Sequence, residues 1–122
     1  MTKEETLDFD GRTVTLSWKY FPKDQELRDI CSKAVIDFCR DEDISRKFPL
    51  LEVEFRVSDD LVPARFAAVD PIHHPHLIYI YLINLFKLPL DPEWISRKIK
   101  TAMAHELTHL VQENTTKVIS RS

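Results

Sequence analysis

Residues 105–109 read His-Glu-Leu-Thr-His, an HExxH sequence, and this short stretch constrains both the local fold and the chemistry of the chain. Two His four residues apart lie on one face of an α-helix, so both imidazoles can reach a single metal ion if the segment is helical. Glu106 follows the first His and can hold and deprotonate a metal-bound water. The pattern predicts a zinc helix for metal-assisted hydrolysis, with His105 and His109 as ligands and Glu106 as general base.

The residues around the motif favour a buried helix over a chance occurrence. Segments 102–104 and 110–111 are uncharged and apolar, as a helix packed beneath a sheet requires. The alternative is a surface helix that happens to carry two exposed His and one Glu. Asp91 followed by Pro92 is typical of a helix N-terminus, and we expect this helix to run to about Glu113. A core face adjacent to the metal face is expected at Ile99, Met103, Leu107 and Leu110.

The earlier part of the sequence predicts a hairpin followed by a helix. The Asp10-Gly11 dipeptide lies between the strand-like runs 7–9 and 13–18, a pattern typical of a β-hairpin. Apolar residues at helical spacing from Leu27 to Phe38 predict a helix that ends at residues 41–43. This helix would pack on a sheet.

Three further strands are expected between the two helices. Apolar and charged residues alternate over 51–57, which predicts a strand with one wet face. A short strand is expected at 65–69, then a Pro-bounded loop at 70–75. The apolar run 77–82 predicts a central strand buried on both faces. The element order predicts an α+β fold, in which a twisted, mostly antiparallel sheet packs on a backing helix and on the HExxH helix.

Length, charge and hydropathy exclude several classes of protein. The chain has 122 residues, 43% of them hydrophobic, which suits one domain over 1–122 with a single core. A net charge of -3 provides no basic face for nucleic acid. The longest apolar stretch, 77–86, is far shorter than the ~20 residues of a membrane span, and the acidic residues 1–10 are unlike a signal peptide. We expect a soluble cytoplasmic protein with no membrane span and no nucleic-acid partner.

Cys31 and Cys39 are eight residues apart on the first helix, about 12 Å along its axis, too far apart to form a disulfide with each other. We expect both thiols to be reduced core residues. The alternative is a pair of metal ligands, but a helical spacing of eight does not bring two sulfurs to one metal ion.

Over roughly residues 51–113 the chain resembles the zincin metallopeptidases, and within them the gluzincin group. The likeness is greatest to the minigluzincins and to the catalytic domains of related membrane metallopeptidases. In that group a Pro-Asn-Ala-Phe-Ala segment forms an upper-rim edge strand, and a second strand and the zinc helix follow. Here residues 63–67 read Pro-Ala-Arg-Phe-Ala, followed by the expected strand at 77–82 and the motif at 105–109.

The resemblance implies a zincin-like upper subdomain that binds Zn²⁺ through His105 and His109, with Glu106 as general base and then general acid. It also implies that Phe66 and Ala67 lie on a strand that pairs with a peptide or protein substrate. Residues 64 and 65 depart from the pattern, because Ala replaces the Asn that grips the substrate backbone and Arg replaces a small residue.

The family pattern also requires a third ligand from a helix downstream of the motif, and the sequence leaves its source open. Glu113 lies on the metal side of the helix, but a straight helix holds its carboxylate away from the tetrahedral position. His73, His74 and His76 are a second set of candidates, although their place between two strands favours a solvated hairpin tip. The remaining sources are another chain, a solvent molecule, or a C-terminal subdomain, which we expect to be short or absent within residues 1–122.

Four aromatic residues near the motif have simple structural interpretations. Tyr79 and Tyr81 could donate to an oxyanion, although aromatic residues in strands more often serve packing. Phe86 and Trp94 are most simply core residues.

A basic turn at Arg97, Lys98 and Lys100 precedes the motif on the same predicted helix. It is either a solvated face or a contact for an acidic substrate.

Two classes of function follow from these features. The first is a minimal or latent zinc-dependent metallopeptidase, a hydrolase in which Glu106 activates water at the metal. The second is a non-peptidase metal-binding or protein-interaction domain that keeps the fold with an incomplete site. In either case we expect the metal face of the helix to be exposed or covered by a second copy of the chain, as a homodimer. This face consists of Ala102, His105, Glu106 and His109.

Overall fold

The computed structural model describes residues 3–9, 11–21, 23–56, 67–81 and 91–121, with residues 113–121 described by their backbone. Within these residues the chain forms five strands, two α-helices and a short 3-10 helix. The elements in chain order are β1 (Glu4–Phe9), β2 (Arg12–Ser17), α1 (Gln25–Asp41), the 3-10 helix (Asp43–Lys47), β3 (Leu50–Arg56), β4 (Ala67–Asp70), β5 (His74–Tyr81) and α2 (Pro92–Arg121).

The predicted hairpin is confirmed. β1 and β2 pair antiparallel from Glu4 opposite Ser17 to Phe9 opposite Arg12. Gly11 lies in the turn with a φ of 81°, a left-handed conformation that glycine adopts without steric cost.

The sheet is mixed, in the order β1-β2-β3-β5-β4. The outer pairs β1/β2 and β4/β5 are antiparallel, whereas β2/β3 and β3/β5 are parallel. The expectation of a mostly antiparallel sheet is therefore wrong. β2 and β3 are parallel because α1 lies between them as a crossover, and a crossover returns the chain to the same end of the sheet. β5 is parallel to β3 because it forms an antiparallel pair with β4 and lies between β3 and β4 in the sheet.

Both helices cover the same face of this sheet. Alternate residues of β2, β3 and β5 point toward the helices and are fully or almost fully buried: Val14, Leu16, Leu51, Val53, Phe55, Ile78 and Ile80. On the opposite face Glu52 is exposed, and Glu54 and Tyr79 are half-buried. β5 lies between β3 and β4, in the interior of the sheet as expected, but its apolar run is not buried evenly on both faces.

Helix α1 ends at Asp41, within the predicted range, and has the predicted core face. The side chain of Asp24 caps its N-terminus by accepting a hydrogen bond from the backbone N–H of Leu27. Cys31 and Cys39 are buried, unpaired thiols within its core stripe, as the sequence predicts.

Helix α2 begins as predicted and ends later than predicted. Asp91 Oδ1 accepts hydrogen bonds from the backbone N–H groups of Glu93 and Trp94, and Pro92 is the first helical residue. The helix continues to Arg121 rather than ending near Glu113, because the intervening residues contain neither Gly nor Pro to end it. None of the described helices has the length and apolarity needed to cross a membrane.

Candidate metal centre

The HExxH residues divide between two faces of α2. Leu107 joins the fully buried core residues Ile99, Met103 and Leu110, as the helical angles predict. His105 and His109 are exposed on the neighbouring face. The division follows from 3.6 residues per turn, which separates the two His from the Leu between them.

The two imidazoles are turned toward each other. The Nε2 atoms of His105 and His109 are 3.0 Å apart, and their rings meet edge to face at 87°. This separation is close to the ~3.3 Å expected between two His nitrogens on a tetrahedral zinc ion with Zn–N distances near 2.0–2.1 Å. It also suits a hydrogen bond in which one ring nitrogen donates to the other. The pair therefore fits a soft or borderline metal ion.

Glu106 is the buried acid of the motif, with 9% of its side chain exposed. Its carboxylate has no hydrogen bond or ion pair with another described residue. The carboxylate lines a cleft, where a ligand or water can reach it.

That cleft has a volume of about 550 Å³. Its lining among the described residues comes from α2 and from the first residue of β4: Ala67, Trp94, Lys98, Thr101, Ala102, His105 and Glu106. Ala67 pairs with Ile80 of β5, so its side chain lies on the face of the sheet that the helices cover. The edge strand therefore borders the cleft in which Glu106 lies. Phe66, the other residue expected to bind substrate, is outside the described residues.

The structure brings no third ligand to the His pair within the part of the chain that it describes. No group of three or more His, Cys, Asp or Glu side chains is close enough there to hold a metal ion. The Glu113 backbone is helical, and its side chain is outside the described set. The third position is therefore open among the residues whose side chains are described.

The other His cluster lies at a hairpin. His73 is in the turn between β4 and β5, and its Nδ1 is 3.0 Å from Asp70 Oδ2. Desolvation alone would raise the pKa of Asp70, but hydrogen bonds from the side chain and backbone of His73 outweigh it and lower that pKa. His74 and His76 are exposed on β5. These contacts are those of a solvated hairpin end, the interpretation that the sequence favours.

The two tyrosines of β5 do not face the motif. Tyr79 is paired with Glu54 of β3 on the face of the sheet away from the helices, and the Arg56 guanidinium lies 5.1 Å from its ring centroid. Tyr81 stacks on Tyr79 with ring centroids 6.5 Å apart. Partial burial and the nearby Glu54 carboxylate raise the pKa of Tyr79. Alternate residues of a strand point to opposite faces, so this placement agrees with the packing role that the sequence favours for both residues and not with donation to an oxyanion at the motif.

Two further expectations change in the structure. Trp94 is half-buried and lines the cleft instead of lying wholly in the core; Phe86 is outside the described residues. The basic turn also divides: Lys98 lines the cleft beside Glu106, whereas Lys100 lines a second cleft between α1 and α2. The spacing of four residues from Trp94 through Lys98 and Ala102 to Glu106 could have shown this in the sequence.

No family model, curated protein or solved structure matches the chain. The chemistry of the site is therefore inferred from its own geometry.

Proposed function

We propose that the chain is a zinc-dependent hydrolase of peptide bonds, with a zincin-like arrangement of an edge strand above an HExxH helix. The observation that carries the proposal is the joint position of three side chains. His105 and His109 present their Nε2 atoms 3.0 Å apart, and the buried carboxylate of Glu106 lies on the same stretch of helix and lines the adjoining cleft. Two imidazoles supply two of the three protein ligands of a catalytic zinc site, and a nearby carboxylate can act as the general base of metal-assisted hydrolysis.

The protein groups have separate tasks in this reaction. A zinc ion held by the His pair would polarise the scissile carbonyl and make the attacking water more acidic. Glu106 would accept a proton from that water and then transfer it to the leaving amine nitrogen. Its burial limits the access of bulk water to the carboxylate.

The edge strand supports a peptide as substrate. Among the described strands β4 pairs only with β5, so its other edge can form main-chain hydrogen bonds with an extended chain. Because Ala67 of this strand lines the cleft, a peptide added to β4 would lie along the cleft that Glu106 and His105 also line. This agrees with the substrate-binding role expected for Ala67.

The proposal is tested with metal-free protein to which one equivalent of Zn²⁺ is returned. The zinc-loaded protein should cleave members of a quenched fluorescent peptide library, and cleavage should stop when zinc is removed. Glu106→Gln is the matched variant, because Gln has nearly the same shape but cannot take the proton. It should keep zinc and lose at least ~10²-fold in turnover. Cleavage that persists in Glu106→Gln, or its absence from the zinc-loaded wild type, would contradict the proposal.

A second candidate is a metal-binding or protein-interaction domain without peptidase activity. It is favoured by one observation, that the described residues supply only two ligands where catalytic zinc sites use three. A second copy of the chain is one source of the missing ligand. Sedimentation of the protein with and without zinc separates the two cases. Zinc-dependent dimers without peptide cleavage would support this candidate.

A further inference from the structure

The face of α2 that leads away from Glu106 carries four side chains at intervals of four residues: Trp94, Lys98, Ala102 and Glu106. Side chains with this spacing form one ridge along a helix. Ala102 is the shortest of the four, so the ridge dips between Lys98 and Glu106. Ala67 of β4, another short side chain, borders the same space. The two alanines thus leave room for a side chain of a bound peptide between Glu106 and Lys98.

At the end of the cleft near Trp94, no described carboxylate neutralises the positive charge. Lys98 Nζ lies 5.6 Å from the centroid of the Trp94 ring, and a smaller hollow of about 270 Å³ continues the cleft past Arg97 and Thr101. In the described part of the chain neither Lys98 nor Arg97 has a carboxylate within salt-bridge distance. Lys100 differs, because its Nζ is 3.9 Å from Asp37 Oδ2 and it lines the other cleft.

We propose that this end of the cleft binds a carboxylate of the substrate and that Lys98 selects for it, an inference that rests on the peptidase function proposed above. Trp94 would contact the apolar part of the bound residue, while the Lys98 ammonium group would pair with its negative charge. The carboxylate comes either from an Asp or Glu side chain or from the free C-terminus of the peptide.

The helix geometry limits where that carboxylate lies in the substrate. Lys98 and Glu106 are eight residues apart, ~12 Å along the helix. An extended peptide advances ~3.3 Å per residue, and the side chains of Lys and of the substrate span part of the distance. The preferred acid is therefore within about three residues of the scissile bond.

The test uses blocked alanine pentapeptides that carry Glu, Gln or Lys at one scanned position, together with the free-acid and amide forms of the unsubstituted peptide. Binding to the metal-free protein is followed by Trp fluorescence, which reports on the half-buried Trp94, since Trp18 is 4% exposed. Trp94→Phe shows how much of the signal arises from that ring. Cleavage by the zinc-loaded protein is measured on the same peptides.

At the preferred position, or for the free-acid form, the carboxylate peptide should bind about fivefold more tightly than its neutral counterpart, as one partly exposed ion pair allows. Lys98→Gln should bring this ratio to about one, and Lys98→Glu should favour the Lys peptide. Lys100→Gln is the matched control, with the same change on the same helix, and should leave the ratio unchanged. A Glu preference that survives in Lys98→Gln, or that falls equally in Lys100→Gln, would overturn the proposal.

The two proposals fail in different ways. If carboxylate peptides bind with the expected dependence on Lys98 but no peptide is cleaved, the carboxylate site stands and the peptidase function is wrong. If peptides are cleaved without any preference for a carboxylate, the peptidase function stands and the role of Lys98 is wrong.

Discussion

The Nε2 atoms of His105 and His109 lie 3.0 Å apart although both side chains are exposed. Exposed side chains usually retain several rotamers, and ordering them costs free energy. Here the spacing of four residues on a rigid, core-packed helix places the two rings one above the other. A metal ion that bound them would therefore require little rearrangement of the backbone.

This relationship predicts that the two His act as a unit in zinc binding. His105→Ala and His109→Ala should each weaken binding almost as much as the double variant, because a single remaining imidazole is a poor site. Affinity should also fall at acid pH, since only neutral imidazoles coordinate. Competition with a chromogenic chelator measures both effects. His73→Ala is the control, because His73 lies at the hairpin turn beside Asp70. Unchanged affinity in the double variant would refute zinc binding at this pair.

The second prediction concerns the reactivity of the two buried thiols of α1. Burial raises the pKa of Cys31 to about 12, with a further contribution from Asp24, and burial raises the pKa of Cys39 to about 11 against the opposing effect of Arg12. The thiolate is the reactive form, so both residues should resist a thiol reagent at pH 8 until the protein unfolds. Rapid labelling of either thiol under native conditions would contradict the buried state.

The same raised pKa values determine whether the free energy of unfolding rises or falls with pH. Between the ordinary thiol pKa of 9.0 and the folded values near 11 and 12, the folded state binds more protons than the unfolded state. The free energy of unfolding therefore falls as pH rises through this range. Urea unfolding from pH 8 to pH 10 compares a Cys31→Ser, Cys39→Ser double variant with the wild type. The unfolding free energy of the variant should decrease less with rising pH than that of the wild type.

Much of the fold could be predicted from local sequence signals. Asp10-Gly11, the Asp91 cap and the alternation in β3 each act within a few residues, and all three correspond to elements at the predicted places. The parallel pairing of β2 with β3 could not be predicted in this way. It depends on how the crossover helix α1 packs across the sheet, which is a tertiary property.

In the candidate site, too, some features follow from local sequence and others depend on tertiary packing. The facing of His105 and His109 follows from helical spacing alone. The approach of Ala67 to Glu106 depends on the packing of β4 against α2, and no local pattern contains it. The sequence also left open which face of the sheet Tyr79 would lie on, because a continuous apolar run conceals which alternate residues of a strand face the helices.

The capping residue of α2 provides a third prediction. Asp91 Oδ1 accepts hydrogen bonds from two backbone N–H groups, one of them that of Trp94. Asp91→Ala should lower the free energy of unfolding by about 1 kcal/mol, whereas Asp91→Asn should retain most of it because the amide oxygen still accepts. Urea unfolding measures both variants. An equal loss of unfolding free energy in the Ala and Asn variants would mean that the charge of Asp91, rather than its hydrogen bonds, stabilises this end of the helix.

The two residues between Glu106 and His109 allow the effects of substitution on stability and on metal binding to be measured separately within the motif. Leu107 is completely buried in the core, whereas Thr108 is exposed and its Oγ1 donates to the Ala104 carbonyl 2.8 Å away. Leu107→Ala should cost about 2–5 kcal/mol of unfolding free energy, because it removes buried methyl groups and leaves a cavity. Thr108→Ala should change it by less than about 0.5 kcal/mol, since Ala is the better helix former and no core contact is lost.

Zinc affinity provides the second measurement on this pair of variants. Zinc binding is measured at a temperature where each variant is folded. Both variants should bind zinc with an affinity within about threefold of the wild type, because neither mutated residue is a proposed zinc ligand and the positions of the two His along the helix are unchanged. Chemical unfolding without zinc and chelator competition with zinc give the two quantities independently. A large loss of zinc affinity in Thr108→Ala, or a neutral effect of Leu107→Ala on stability, would show that the division of α2 into a core face and a metal face is wrong.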